Sequence, residues 1–336
     1  MVEAELIARA REGDGAAFEA LVAAHRRGLH AHCYRMLGSL QDAEDALQET
    51  LVGAWRGLAG FAGRSSLRTW LYRIATHACL RLAERRPPRL LSPDRGPAAH
   101  DVHDLGEMAP GPGWLEPWPD PGPDPGDEAA GREQVELAFV AALAHLAPRP
   151  RAVLLLREVL GFSAAEVAGM LATTVPAVNS ALQRARAAVD ARIVEPNQAG
   201  ELARLGPDGR RDLVAAFVAA WERADVGALV ALLTEDARFA MPPLPAWFEG
   251  RADIARFAAE RLFATPWRLR PVGANGQLAF ACYQGPEAGE GPFRLGAINV
   301  VTLREGRVAA MTGFLDPALR PWFGLPAMSS GPGPSL

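Results

Sequence analysis

One segment, residues 87–131, constrains this chain more than any other feature. It holds 11 prolines and 7 glycines in 45 positions. Proline lacks the N–H that helices and inner strands need, so the segment is predicted to be an extended, mobile connector. A second break falls at 195–209, where helical periodicity is interrupted. Three folded blocks are therefore expected, at 10–86, 132–193 and 208–325, followed by a disordered tail at 326–336.

Composition narrows the class of protein. The chain has 336 residues, of which 49% are apolar and 22% charged, which excludes a disordered, solvating chain. No apolar run reaches the ~18 residues of a membrane span. The first residues are acidic and polar, unlike a secretion signal, and three scattered cysteines are too few for a disulfide framework. These features predict a soluble, cytoplasmic protein with no membrane association.

The net charge of −4 conceals a strongly uneven distribution. Residues 96–131 contain no arginine and 8 acidic residues, whereas residues 56–95 contain 9 arginines and only 2 acidic residues. Local charge, rather than total charge, decides attraction to phosphates. The segment 56–95 is therefore a candidate nucleic-acid surface.

The first block is predicted to be helical. Apolar residues recur at helical spacing over 42–55 and 67–86, and Ser39 is a plausible cap of the first helix. The outer face of that first helix is acidic. On the second helix, Arg73, His77 and Arg81 recur every four residues away from the apolar face. A short Gly/Ser loop at 61–66 joins the two helices.

The second block ends in a helix-turn-helix pattern. Ser163 and Glu166 are predicted to form a capping box, Thr174 is the expected cap in the turn, and a helix is predicted over 175–192. The second helix of such a motif enters the major groove, although buried three-helix packings show the same pattern. The outward residues of that helix are Asn179, Ser180, Gln183, Arg184 and Arg186.

The third block changes character. It begins with an amphipathic helix over 208–234, and a further helix is predicted over 252–263. Glu305-Gly306 is typical of a hairpin turn. The pattern predicts an α+β domain with helices packed on a curved antiparallel sheet. Its strand-like runs are 237–241, 267–272, 278–283, 293–303 and 307–314.

Four motifs in order resemble the extracytoplasmic-function (group IV) sigma factors. They are HCYRMLG at 32–38, DAEDALQE at 42–49, SLRTWLYRIA at 66–75 and VNSALQRAR at 178–186. The tract WLEPWPD at 114–120 resembles the subgroup with a C-terminal SnoaL-like (NTF2-like) domain. The resemblance implies two all-α domains, regions 2 and 4, which bind core RNA polymerase (the β′ clamp and the β subunit) and the −10 and −35 promoter elements.

The resemblance also implies site residues. A solvated face is the alternative for the acidic helix, and core packing is the alternative for Trp70 and Tyr72. His77 stands where the family leads us to expect asparagine, which puts the preferred −10 base in doubt. The implied core-polymerase residues are Asp42, Asp45, Gln48 and Glu49; the −10 residues are Phe61, Arg64, Ser65, Arg68, Arg73, His77 and Arg81; the −35 residues are Asn179, Ser180, Gln183, Arg184 and Arg186.

The C-terminal domain is expected to regulate the factor in cis. The resemblance implies contact with regions 2 and 4, or with a regulatory linker tract that includes Trp114, Leu115, Pro117 and Trp118. Asp316 is the one carboxylate near the expected mouth of the cone, and no histidine follows His145, so an acid–base pair is hard to assemble and no enzyme activity is expected. Cavity-lining candidates, for which core packing is the alternative, are Phe239, Trp247, Tyr283 and Asn299.

No metal or cofactor is expected. His25, His30, His32 and Cys33 share one helical stretch, but their spacing does not converge on one ion. The sequence leaves two other functions open. The chain could be a SnoaL-type cyclase or isomerase fused to a DNA-binding module, or a helix-turn-helix repressor that never meets polymerase.

Overall fold

The computed structural model describes residues 2–109, 111, 113–120, 136–193, 197–286 and 291–329. The chain divides into two compact units. The first comprises Met1–Arg89 and Phe139–Ile193, and the second comprises Leu90–Ala138 and Val194–Leu336. Neither unit is one continuous segment. Within the described residues, none of the helices combines the length and apolar character that crossing a bilayer requires.

The N-terminal part of the first unit is a helical bundle. Ser39 accepts a hydrogen bond from the Asp42 N–H and Ser66 accepts one from the Thr69 N–H, so each cap satisfies an otherwise unpaired donor. The apolar faces of the helices meet around fully buried side chains such as Tyr34, Leu47 and Leu71. The helices are α1 (Val2–Arg11), α2 (Gly15–Leu37), α3 (Leu40–Gly57) and α4 (Leu67–Ala83).

The remaining helices of this unit include the predicted helix-turn-helix. The capping box of Ser163 and Glu166 is confirmed, and Thr174 caps the last helix. The apolar seam of that helix, from Val178 to Val189, is buried as predicted. The elements are α5 (Leu137–Ala144), α6 (Pro148–Leu154), a π-helical turn (Leu155–Val159), α7 (Ala164–Met170) and α8 (Val175–Asp190).

The second unit is a mixed sheet covered by helices, with strand order β2-β1-β6-β5-β4-β3 and a short β7 beside β5. All pairings are antiparallel except β1 with β6, which run parallel. The elements are α9 (Gln198–Glu222), α10 (Val226–Leu232), β1 (Leu233–Ala240), β2 (Trp247–Glu249), α11 (Arg251–Glu260), β3 (Trp267–Ala274), β4 (Gln277–Gln284), β5 (Phe293–Arg304), β6 (Arg307–Phe314) and β7 (Met328–Ser329).

The predicted break at 195–209 is confirmed at one point, and the described residues on either side of that point are helical. Helix α9 (Gln198–Glu222) consists of two helical segments that meet at a kink at Gly206 (φ 68°, ψ 176°). The early turn is held by the sheet, because the Gln198 amide donates to Leu303 O (2.9 Å) and accepts from Leu303 N–H (2.7 Å). Tertiary hydrogen bonds thus hold the residues before Gly206 in a helix, and the chain breaks only at Gly206-Pro207, where the local sequence favours it.

Both segments expected to be disordered or mobile are partly built into the second unit. Met328–Ser329 pairs with β5, so the tail predicted from 326 is partly a strand; residues 330–336 lie outside the described range. The described part of the proline-rich segment packs on the same unit. Val102 joins its apolar core and Ala99 N–H donates to Trp247 O (2.7 Å). The segment is therefore not a free connector.

Candidate nucleic-acid and polymerase interfaces

The outer face of α3 presents three of the four residues implied to bind core polymerase. Asp45, Gln48 and Glu49 are exposed. Gln48 donates to Glu44 (2.6 Å), and Arg81 of α4 forms an ion pair with Glu49 (2.5 Å). On the same helix, Val52 and Trp55 are the exposed large apolar residues. An acidic face that also carries exposed apolar side chains is suited to a basic protein partner.

Asp42 differs from the other three. Its side chain is 5% exposed and forms ion pairs with Arg89 and Arg86, the second at 3.3 Å. Arg89 is itself buried. The carboxylate is thus used within the first unit and does not lie on the exposed face. Nothing local in the sequence indicates this pairing, because Arg89 follows Asp42 by 47 positions.

The α3–α4 loop and α4, together with α7, line an open pocket of about 450 Å³. Arg64, Ser65 and Arg73 line it and are exposed. Phe61, in contrast, is buried against Trp70, with ring centroids 4.9 Å apart. Exposed arginines beside a pocket with an aromatic wall can hold a phosphate and an unstacked base together.

Two other −10 candidates bond to the helix-turn-helix region. Arg68 donates to Leu160 O (2.8 Å), and its guanidinium lies 4.3 Å from the centroid of the Phe162 ring. His77 donates through Nε2 to Met170 O (2.8 Å). Thr69 also donates to Glu166 (3.2 Å). Glu166 and Met170, on α7, also line the pocket.

These contacts were missed by sequence reasoning. Phe162, Glu166 and Met170 are nearly 100 residues from their partners on α4. Their local pattern indicates only a capped helix, since nothing in a single sequence reports such pairings.

The outer face of α8 carries all five −35 candidates. Asn179, Ser180, Gln183 and Arg184 are exposed, and Thr174 at the helix start accepts from Ala177 N–H. Arg186 is also exposed and forms an ion pair with Glu158. The amide side chains can read base edges, and the arginines can contact phosphate or guanine.

The regulatory linker tract lies on the β3–β4 turn of the second unit. Trp118 N–H donates to the Asn275 side chain (2.9 Å), and Gly276 N–H donates to both Asp120 carboxylate oxygens (2.9 and 3.0 Å). Gly273 is required here, because a Cβ would lie 2.8 Å from Asp120. Trp114, Leu115 and Pro117 are buried. Both backbone and side-chain groups of the tract therefore hold it on the β3–β4 turn.

The four cavity-lining candidates do not share one space. Phe239 belongs to the apolar core of the second unit, and Asn299 is buried on the strand that contributes Ala297 and Val301 to it. Trp247 instead donates to Gly96 O (3.0 Å) and Tyr283 to Pro326 O (3.3 Å). Trp247 and Tyr283 are each next to a core residue in their strand. Because adjacent side chains in a strand point to opposite faces of the sheet, these two side chains face chain segments outside the core.

Comparison with known proteins agrees with this division. Residues 21–87 match Sigma-70 region 2, residues 136–189 match Sigma-70 region 4, and residues 214–311 match the SnoaL-like domain. The chain is 45% identical over 323 residues to the ECF RNA polymerase sigma factor SigG of Mycobacterium tuberculosis, covering 94% of this chain and 85% of SigG.

Two further comparisons cover different lengths of the chain. The RNA polymerase sigma-H factor of Pseudomonas aeruginosa is 31% identical over 189 residues, which is 55% of this chain and 91% of that protein. The crystal structure of the M. tuberculosis extracytoplasmic function sigma factor SigJ shares the fold, with a TM-score of 0.58 at 22% identity over 90% of this chain and 97% of SigJ.

All three family matches agree with the 45% identity to SigG, which extends over 94% of this chain. Regions 2 and 4 bind core RNA polymerase and promoter DNA. This chain belongs to the extracytoplasmic-function RNA polymerase sigma factors, in the form that carries a C-terminal SnoaL-like domain.

Proposed function

We propose that the two promoter-reading regions of this sigma factor inhibit one another until polymerase separates them. In an active factor, Asp45, Gln48 and Glu49 dock on core polymerase, the α3–α4 loop and α4 hold the −10 strand, and α8 reads the −35 element. The observation that carries the proposal is the engagement of Arg68 and His77 by Leu160 and Met170 carbonyl oxygens.

Those bonds use two groups that the −10 strand requires. A guanidinium already bonded to a carbonyl and stacked on Phe162 is not free for a phosphate. Polymerase, which binds both regions, compensates for this by raising their effective concentration at the promoter. The low net charge of the chain fits a factor with little affinity for DNA alone.

Phe162→Leu in the full chain tests the proposal. Leucine keeps an apolar side chain but removes the ring under Arg68 and beside Tyr72 (5.6 Å). Loss of one cation–π contact should raise affinity for single-stranded promoter DNA by about two- to fivefold, measured by fluorescence anisotropy without polymerase. Phe18→Leu, which removes the contact of Phe18 with Trp55 (5.1 Å), is the matched control. Unchanged or weaker DNA binding by Phe162→Leu would reject mutual inhibition.

We infer that the SnoaL-like domain adjusts transcription and does not catalyse a reaction. Asp316, the carboxylate expected near the cone mouth, accepts from Ala318 N–H (2.8 Å) as a helix cap. Glu201, a buried carboxylate of this unit, accepts from Gly306 N–H (3.2 Å) and forms an ion pair with Arg204 (2.8 Å), so its oxygens are already engaged by the fold. The site of action would be the cytoplasm, where the polymerase acts, and contact of this domain with regions 2 and 4 stays a prediction.

A further inference from the structure

A second open pocket of the first unit lies beyond the end of α4. One wall comes from the end of α2, the start of α3 and the segment that follows α4, and the other comes from the α5–α6 connection and α6. Its volume is about 270 Å³. That volume lies just below the range of roughly 300–1,000 Å³ typical of pockets for drug-sized ligands, so it suits a smaller molecule.

The charged side chains that line this pocket are mostly positive. They are three arginines, Arg86, Arg89 and Arg151, and one carboxylate, Asp42, so three positive charges face one negative charge. Asp42 forms ion pairs with Arg89 and with Arg86 (3.3 Å). A pocket with an excess of two positive charges attracts anions and repels cations.

Arg151 is the group in this pocket that lacks a counter-charge. It is 8% exposed, and its terminal nitrogens donate to carbonyl oxygens of Met36, Ala144 (3.0 Å) and Leu146 (3.0 Å). Within the described residues, its Nε–H has no acceptor and no carboxylate pairs with it. Burial lowers the pKa of this guanidinium to about 10, so it is still protonated near pH 7. A buried charge held only by neutral groups is unfavourable until an anion joins it.

We propose that this pocket binds a small multivalent phosphate anion. Its oxygens would accept from the exposed Arg86 at the mouth and from the buried Arg151 in the interior, because guanidinium groups match phosphate oxygens in charge and geometry. A metal ion is disfavoured, since the one carboxylate is already paired with two arginines.

The position of the pocket gives the anion a structural effect. Arg86 belongs to region 2 and Arg151 to region 4. An anion that contacts both would connect the two regions and stabilise the first unit, because a ligand that binds only the folded state opposes unfolding.

Calorimetric titration of the full chain with pyrophosphate, at about 0.15 M NaCl to screen weak surface binding, tests the site. We expect saturable binding, at least about tenfold tighter than that of orthophosphate, because two phosphate groups offer more oxygens to the guanidinium donors. Adenosine diphosphate, titrated in parallel, identifies the source of the group. Equal affinity would indicate a nucleotide, and weaker binding would indicate the free anion.

Two neighbouring arginines give a matched pair of variants. Arg86→Gln removes a guanidinium from the pocket and should weaken pyrophosphate binding at least about tenfold. Arg85→Gln is the control, because Arg85 is also exposed but does not line the pocket, and its affinity should stay within about twofold of the parent. Pyrophosphate should raise the Tm of the parent and of Arg85→Gln by a few degrees, and that of Arg86→Gln much less.

Two results would overturn the proposal. The absence of saturable heat with pyrophosphate in the parent would mean that the excess positive charge does not form an anion site. An equal loss of affinity in Arg85→Gln and Arg86→Gln would assign the binding to the basic surface in general, and not to the pocket.

Discussion

Among single residues, the contrast between Asp42 and Asp45 is the most informative. Both fall in the acidic motif of α3, three positions apart. Asp42 is enclosed with Arg89, whereas Asp45 is exposed and accepts from Gln41 (3.0 Å). Substitution of Asp42 should therefore lower the stability of the first unit, whereas substitution of Asp45 should affect polymerase binding.

Asp42→Asn should destabilise the first unit by about 3 kcal/mol, because it removes the counter-charge that Asp42 supplies to the buried Arg89. Asp45→Arg should leave stability within about 0.5 kcal/mol of the parent and abolish capture by core polymerase. Thermal unfolding and co-purification with core polymerase measure the two effects. A stable Asp42→Asn protein that fails only in polymerase capture would show that Asp42 also belongs to the docking face.

His32 makes the first unit sensitive to acid. Its ring is fully buried, Nε2 donates to Thr76 Oγ1 (3.0 Å), and burial, assisted by the charge of Arg35, lowers its pKa from 6.5 to about 3. Between these values only the unfolded chain takes up the proton, so the stabilisation is complete above pH 6.5 and is lost as the pH falls.

The wild-type chain should lose about 1.4 kcal/mol per pH unit below 6.5 through this group. His32→Gln, which can donate to Thr76 without titrating, should show a shallower loss. Urea unfolding followed by helical circular dichroism at pH 7, 6 and 5 measures the difference. Parallel pH profiles for the two proteins would exclude His32 as the source.

At the level of elements, helix boundaries follow local sequence and contacts between helices do not. The caps at Ser39, Ser163 and Thr174 could be predicted because each cap is satisfied within four residues. The start of α9 at Gln198 could not, because it depends on β5, about 105 positions away. For the same reason, the exposed faces of α3 and α8 were predicted, but the burial of Asp42 and the contacts of Arg68 were not.

Helix α8 gives a prediction at this scale. Gln183 and Arg184 are adjacent and exposed on the helix. Gln183→Ala should change which −35 sequences the factor prefers, because a side-chain amide can distinguish one base edge from another. Arg184→Ala should weaken binding to all −35 sequences roughly equally, because a contact to phosphate does not depend on the base. Run-off transcription with core polymerase on a −35 variant set distinguishes the two. A uniform effect of Gln183→Ala would remove it from base reading.

For the whole molecule, the attachment of the linker tract to the second unit is the feature to test. Both carboxylate oxygens of Asp120 accept from the single backbone N–H of Gly276. Asp120→Ala should release the tract and give regions 2 and 4 a longer free connector. Transcription should rise by up to about fivefold, which corresponds to about 1 kcal/mol of lost hydrogen bonding.

Limited proteolysis at the tract and multi-round transcription with core polymerase measure this effect. Asp101→Ala is the control, since Asp101 is exposed and accepts from the nearby His103 N–H. If the tract became protease-sensitive in Asp120→Ala while transcription stayed unchanged, the linker would have no regulatory part.

The polypeptide passes between its two units three times, after Arg89, Ala138 and Ile193. No single stop codon can therefore delete one unit and leave the other whole, and no single cut can release either as a contiguous fragment. A truncation near residue 205 would remove most of the unit in which Trp114 and Leu115 are buried. In genetic terms, the SnoaL-like domain and the promoter-reading regions are inherited, expressed and lost together.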